Sequence, residues 1–138
     1  MGRTFADVEV ENYGDIVLRE ETGNGGRRVR KLKVRALVDT GSALLCLHRD
    51  AIEKLGLRLA CTAKVRTAGG VMDRPVYAIA RITVQGRSCA AEVMEIPDSI
   101  PPLIGYILLE SLDLVVQPKT HMVVPNPESG GKWMLDLL

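Results

Sequence analysis

Aromatic side chains are scarce in this chain of 138 residues, where Phe, Tyr and Trp together make up 4%. A core of ordinary size must therefore rest on Val, Leu, Ile and Ala, residues that suit a β-rich interior. Cysteine is sparse as well. Cys46, Cys61 and Cys89 are odd in number and show no C-x-x-C spacing. That argues against a disulfide framework and a zinc site, and fits a reducing compartment. No run of 18 apolar residues is present, so no membrane-spanning helix is expected. The opening residues lack the apolar stretch of a signal peptide. Gly2 alone suits myristoylation, but Ala6 stands where that pattern wants Ser or Thr. The expectation is a cytoplasmic protein with no membrane partner.

The formal net charge is +1, which favours no class of partner, yet the charges are unevenly placed. Asp7, Glu9, Glu11, Asp15, Glu20 and Glu21 crowd the beginning, and Arg27, Arg28, Arg30, Lys31, Lys33 and Arg35 follow. A nucleic-acid footprint is one reading of the basic run. However, Lys31, Lys33 and Arg35 alternate with Leu32, Val34, Ala36 and Val38, and no aromatic residue interleaves them. Such alternation describes the solvated face of a strand. No nucleic-acid partner is expected.

The hydrophobic period is two almost everywhere. Ala6, Val8 and Val10 alternate with acids, Asn12 to Asp15 reads as a turn, and Ile16 to Leu18 as a returning strand. After a loop at Thr22–Gly26, a long strand is expected from about Val29 to Val38, ending at Asp39. Leu44 to Leu47 reads as a buried strand, and Ala51 to Leu55 as a short helix capped by Asp50 and stopped by Gly56. Leu57 to Arg66 and Val76 to Val84 read as strands on either side of a hairpin tip at Thr67-Ala68-Gly69-Gly70. Cys89 to Ile96 is a further strand, and Pro97 to Pro102 a rigid loop. Tyr106 to Leu112 suits a second helix, with strands at Leu114–Gln117, His121–Val124 and Trp133–Leu137. No repeat and no dividing linker is visible. The expectation is one all-β domain over 1–138, mostly antiparallel, with one or two short helices and a closed or nearly closed barrel.

The segment richest in chemistry is Ala36-Leu37-Val38-Asp39-Thr40-Gly41-Ser42. An apolar strand delivers a carboxylate into a turn where Gly41 lets the backbone come close, and where Thr40 and Ser42 can offer hydroxyl hydrogen bonds. The tripeptide alone is weak, because an Asp capping a turn would look the same. Its context is stronger. Apolar strand and helix follow the loop, Ala68-Gly69-Gly70-Val71 supplies a glycine-rich hairpin, and Leu103-Ile104-Gly105 precedes a second helix. In this order the features resemble the retropepsin-like, or retroviral-type, aspartic proteases over about residues 5 to 125. Ser42 departs from the Ala usual in that branch. The tail Gly130 to Leu138 matches nothing in the family, and whether the segment 126–138 belongs to a dimer interface stays open.

The resemblance implies a symmetric homodimer acting as an endopeptidase on extended peptide or protein substrates, with no metal and no cofactor. Two carboxylates about 3 Å apart cannot both ionise, so they share a proton. The charged member activates a water and the neutral one hydrogen-bonds the scissile carbonyl. Asp73, Asp98, Asp113 and Asp136 lack Thr-Gly after them, so a second chain must supply the second Asp39. The same resemblance casts Thr40, Gly41 and Ser42 as support of the active-site loop. It casts Ala68, Gly69, Gly70 and Val71 as the flap that binds substrate by strand addition, with Leu103, Ile104 and Gly105 backing the loop. The alternative is a catalytically silent module of this fold that dimerises or binds peptides. His48, His121 and Cys46 fit structural or surface roles better than catalytic ones.

Overall fold

The computed structural model describes residues 3–23, 28–39 and 41–137. Strand β1 (Phe5–Asn12) is followed by helix α1 (Tyr13–Glu21), strands β2 (Lys31–Asp39) and β3 (Leu45–His48), and helix α2 (Arg49–Leu55). Strands β4 (Arg58–Thr67), β5 (Gly70–Val84) and β6 (Arg87–Ile96) form a meander. Short β7 (Leu103–Gly105), helix α3 (Tyr106–Ser111), the hairpin β8 (Leu114–Gln117) and β9 (Met122–Pro125), and a single 3-10 turn at Pro127–Ser129 complete the order. The sheet runs β1-β2-β7-β3-β6-β5-β4, and β1 pairs again with β5. That extra pairing, Glu9–Asn12 against Ala80–Thr83, closes six strands into a barrel and leaves β4 as an outward extension.

Alternation fills the barrel with small aliphatics, as the shortage of aromatics demands. Val8, Val10, Leu45, Leu47, Ile82 and Ile104 are fully buried, and Leu109 of α3 and Leu112 just after it join the same core. On the opposite face, the acidic beginning and the basic run turn out to be two sides of one antiparallel pair. Asp7 lies across from Arg35, Glu9 from Lys33 and Glu11 from Lys31, with the Arg35 guanidinium 4.6 Å from the Phe5 ring centre. Opposite charges at facing positions stabilise the pair modestly.

Three expectations are corrected. Residues 13–18 do not turn into a strand but form α1. The Asn12 side chain accepts from Asp15 N at 3.0 Å while donating to the Leu55 carbonyl at 2.8 Å, a side-chain cap that ties the helix start to the core. Buried Asp15 in turn accepts from Arg30 N, Nε and Nη2 at 2.8–3.0 Å. Of the apolar Ile16-Val17-Leu18 run only Ile16 is buried, as one helical face requires. In α2 the cap position falls on His48, whose side chain makes no capping bond, and Asp50 stands in the first turn, where its charge suits the helix dipole. Trp133–Leu137 is no strand. The tail is held by Trp133 Nε1 donating to Ser111 O (3.1 Å) and Met134 N donating to Asp113 Oδ2 (3.1 Å). The expected loop at 22–26 lies partly outside the described residues.

Candidate active site

Strand β2 ends on Asp39, and the unexpected element is what lies beside it. β7, only three residues long, runs parallel to β2 with Leu37, Val38 and Asp39 opposite Leu103, Ile104 and Gly105. Its other edge is antiparallel to β3, with Leu45 opposite Ile104. The loop between β2 and β3 therefore straddles β7. Gly105 N donates to Leu44 O at 3.2 Å. A Cβ on Gly105 would run into the Ser42 carbonyl and lie 3.0 Å from the Ala43 carbonyl carbon. No side chain fits between those strands. That is a reason for the Gly after Leu103-Ile104 that composition does not give.

Within the loop, Gly41 N donates to Asp39 Oδ1 at 2.9 Å, and a Cβ on Gly41 would lie 3.4 Å from that same oxygen. Ser42 N donates to the Asp39 carbonyl at 3.2 Å. The Ser42 hydroxyl turns away from the carboxylate. It donates to Leu44 O at 3.0 Å and lies 3.4 Å from Cys46 Sγ. Burial pushes the Cys46 thiol up; the Ser42 hydroxyl opposes this and the Asp39 charge adds to it. Cys46 is thus a buried, protonated wall of the loop, as its apolar neighbours imply. Thr40 lies outside the described residues.

The glycine-rich segment is the tip of the β4–β5 hairpin. Thr67 pairs with Gly70, and Ala68 and Gly69 make the turn. Thr67 Oγ1 donates to Gly70 O (3.0 Å) and accepts from Gly69 N (3.2 Å). Gly70 adopts φ +114°, a conformation closed to most side chains. Val71 stands on β5 beside the tip and is 65% exposed.

Loop and hairpin face each other across a cleft of about 210 Å³. Asp39, Gly41, Ser42 and Cys46 form its floor, Val65, Met72 and Arg74 come from the hairpin arms, and Met94, Ile100 and Leu103 stand at the sides. Asp39 is the only carboxylate lining it among the described residues. Of the second signature only Leu103 reaches the cleft; Ile104 is core and Gly105 is the spacer behind the loop. A larger hollow of about 420 Å³ lies over β1 and β2, among Asp7, Glu9, Lys33 and Arg35, but it is a groove of facing charge pairs without a catalytic grouping. His48 Nε2 meets the Ile100 carbonyl at 2.6 Å, and His121 sits in the β8–β9 turn. Among the described residues no three His, Cys, Asp or Glu side chains are grouped to hold a metal. Val65, Met72, Arg74, Met94 and Ile100 were not singled out from sequence. For Val65, Met72 and Arg74 the inward side of the two hairpin arms is the signal that could find them.

An acid at the end of a barrel strand, a loop straddling a short parallel strand, and an overhanging hairpin define the retropepsin-like aspartic protease architecture. The profile of the aspartyl protease family matches residues 24–108, and the chain belongs to that family. Among solved structures it resembles the EIAV protease complexed with the inhibitor HBY-793, at 16% identity and a TM-score of 0.52, over 80% of this chain and 88% of that one. At that identity the likeness speaks for the fold. No curated protein matches.

Proposed function

We propose that the chain is one subunit of a homodimeric aspartic endopeptidase, active on extended peptide segments through two Asp39 carboxylates. The observation that carries this is the one carboxylate that lines the cleft among the described residues, held at a strand end beneath a glycine-tipped hairpin. One acid is half of a dyad, and a twofold axis beside the loop supplies the other. One carboxylate then takes a proton from the water between them while its neighbour donates to the scissile carbonyl. Gly41 N, bonded to Asp39 Oδ1, fixes the carboxylate's rotation. Backbone groups of Gly69 and Gly70 pair with the substrate as an added strand, with Ala68 and Val71 completing the flap. The Ser42 hydroxyl, bonded to Leu44 O, keeps the loop closed, and Thr40 is assigned the loop-supporting role on the family motif alone. Trp133, Met134 and Leu135 are exposed apolar residues, which supports a share of 126–138 in the dimer contact.

The test is subunit mixing. Asp39→Asn should keep the fold and lose cleavage of a diverse peptide library by more than about a hundredfold, the scale of a lost acid–base group. Equal amounts of the two forms, after exchange, should retain roughly half the activity of the wild type present, since random pairing makes half of all dimers mixed and inactive. Activity strictly additive in wild-type subunits would place a complete site in one chain and overturn the proposal. Peptide binding without Asp39-dependent cleavage would leave the chain a binding module.

A further inference from the structure

The cleft is mostly apolar; among the described residues, besides Asp39, Ser42 and Thr67, its lining holds two cations, the exposed Arg66 and the half-buried Arg74. In the β4–β5 ladder, residues directly opposite share a face, and the face alternates along the strands. Val65 lies opposite Met72 and Ala63 opposite Arg74, whereas Lys64 lies opposite Asp73 and Arg66 opposite Val71. Val65, Met72 and Arg74 therefore share the face turned to Asp39. Lys64 and Asp73 occupy the other face, where they form an ion pair at 3.2 Å. The acid nearest in sequence to Arg74 is thus spent on the outer surface. Among the described residues no side-chain hydrogen bond or ion pair engages the guanidinium of the half-buried Arg74, although Arg30, Arg49 and Arg81 each hold a carboxylate.

A guanidinium in an apolar cleft without a partner is costly to desolvate and gains most from a carboxylate that arrives with a ligand. We infer that Arg74 selects substrates carrying Asp or Glu, a reading that rests on the peptide-binding cleft proposed above. The ladder also gives the register. The Val65–Met72 pair lies two residues from the Thr67–Gly70 pair and Ala63–Arg74 lies four away, about 13 Å at the rise of an extended strand. An extended peptide running along the hairpin places apolar side chains against Val65, Met72, Met94 and Ile100 near the scissile bond. Its acidic side chain lies several residues to one side. The substrate class is an extended segment with an apolar centre and an acidic flank.

Binding to the Asp39→Asn protein tests this without turnover. The probes are two matched extended peptides, apolar at the centre, with Glu or Gln at the flanking positions. At neutral pH and low salt the Glu peptide should bind about tenfold tighter, as a partly desolvated charge pair allows. The difference should vanish in Arg74→Met, reverse for a Lys-flanked peptide in Arg74→Glu, and fade below about pH 4.3 as Glu protonates. Arg74 lies on an open strand face, and unchanged circular dichroism of the variants serves as the folding control. Equal affinities for the Glu and Gln peptides, failure of both to bind, or a preference that survives Arg74→Met would overturn the inference. Cleavage by the wild type is read separately. Loss of the acidic preference with Asp39-dependent cleavage intact removes only this inference, and acidic preference without cleavage removes only the enzyme.

Discussion

Asp39 ends a strand that is paired on both edges, by β1 and by β7, and the loop after it straddles β7 to reach β3. Gly69 and Gly70 end a hairpin whose outer strand, β4, has no further neighbour in the sheet among the described residues, and whose tip is bonded, among those residues, only to itself. The two regions meet across one cleft and are held in opposite ways. The loop sits on buried Leu45 and Ile104, so its geometry moves only if the barrel opens. The tip contributes little buried area and can open locally at small cost. Geometry for proton transfer needs the first kind of support, whereas admission of a long peptide needs the second.

The largest effect should come from breaking the rigid side. Gly105→Ala drives a methyl into the backbone at Ser42 and Ala43, atoms that cannot turn aside as a side chain can. A loss of about 3 kcal/mol, the upper part of the overpacking range, is expected in denaturant unfolding, with loss of any Asp39-dependent cleavage. An unfolding midpoint within error of wild type would show that the loop yields and that the contrast is weaker than drawn.

A smaller and different effect is expected at the tip. Gly70→Ala meets open space, yet forces a side chain onto φ +114°, a strain of about 1–3 kcal/mol. The hairpin end can fray to relieve it, so the global midpoint should shift little while hydrogen exchange at 67–71 accelerates and peptide affinity falls. A fall in the midpoint as large as that for Gly105→Ala would mean that tip and barrel unfold as one unit.

The smallest effect concerns two thiols. Cys61 is exposed on β4, and Cys46 is buried in the floor of the loop with its thiol pushed up by burial. A raised value leaves less thiolate at neutral pH, so Cys46 should react with a thiol reagent only slowly and its rate should keep rising well into alkaline solution, after Cys61 is labelled. Labelling of both at one rate, read by mass spectrometry, would mean that the floor opens as readily as the flap.

Much of this contrast is legible in the chain. The alternation of Val8, Val10, Ile82 and Val84 marks barrel strands because burial on one face imposes a period of two. The Gly56 stop and the hairpin at Ala68-Gly69 follow from local backbone preferences, and Asp39 follows from the motif around it. Ile16-Val17-Leu18 misleads because three apolar residues fit either period; the long-range bond from Asn12 to Leu55 and the Arg30–Asp15 pair decide for a helix.

By itself the sequence determined where the long barrel strands run, where the β4–β5 hairpin turns, and that a single Asp-Thr-Gly loop is present, since each depends on neighbours within a few residues. Only the tertiary structure decided that Leu103-Ile104-Gly105 lies parallel to the Asp39 strand, because a three-residue segment has no period to read. It alone decided that Arg74, and not Asp73, faces the cleft. A strand's alternation says that neighbours point apart, but which of them points inward is fixed by pairing register, a property of two segments brought together by the fold.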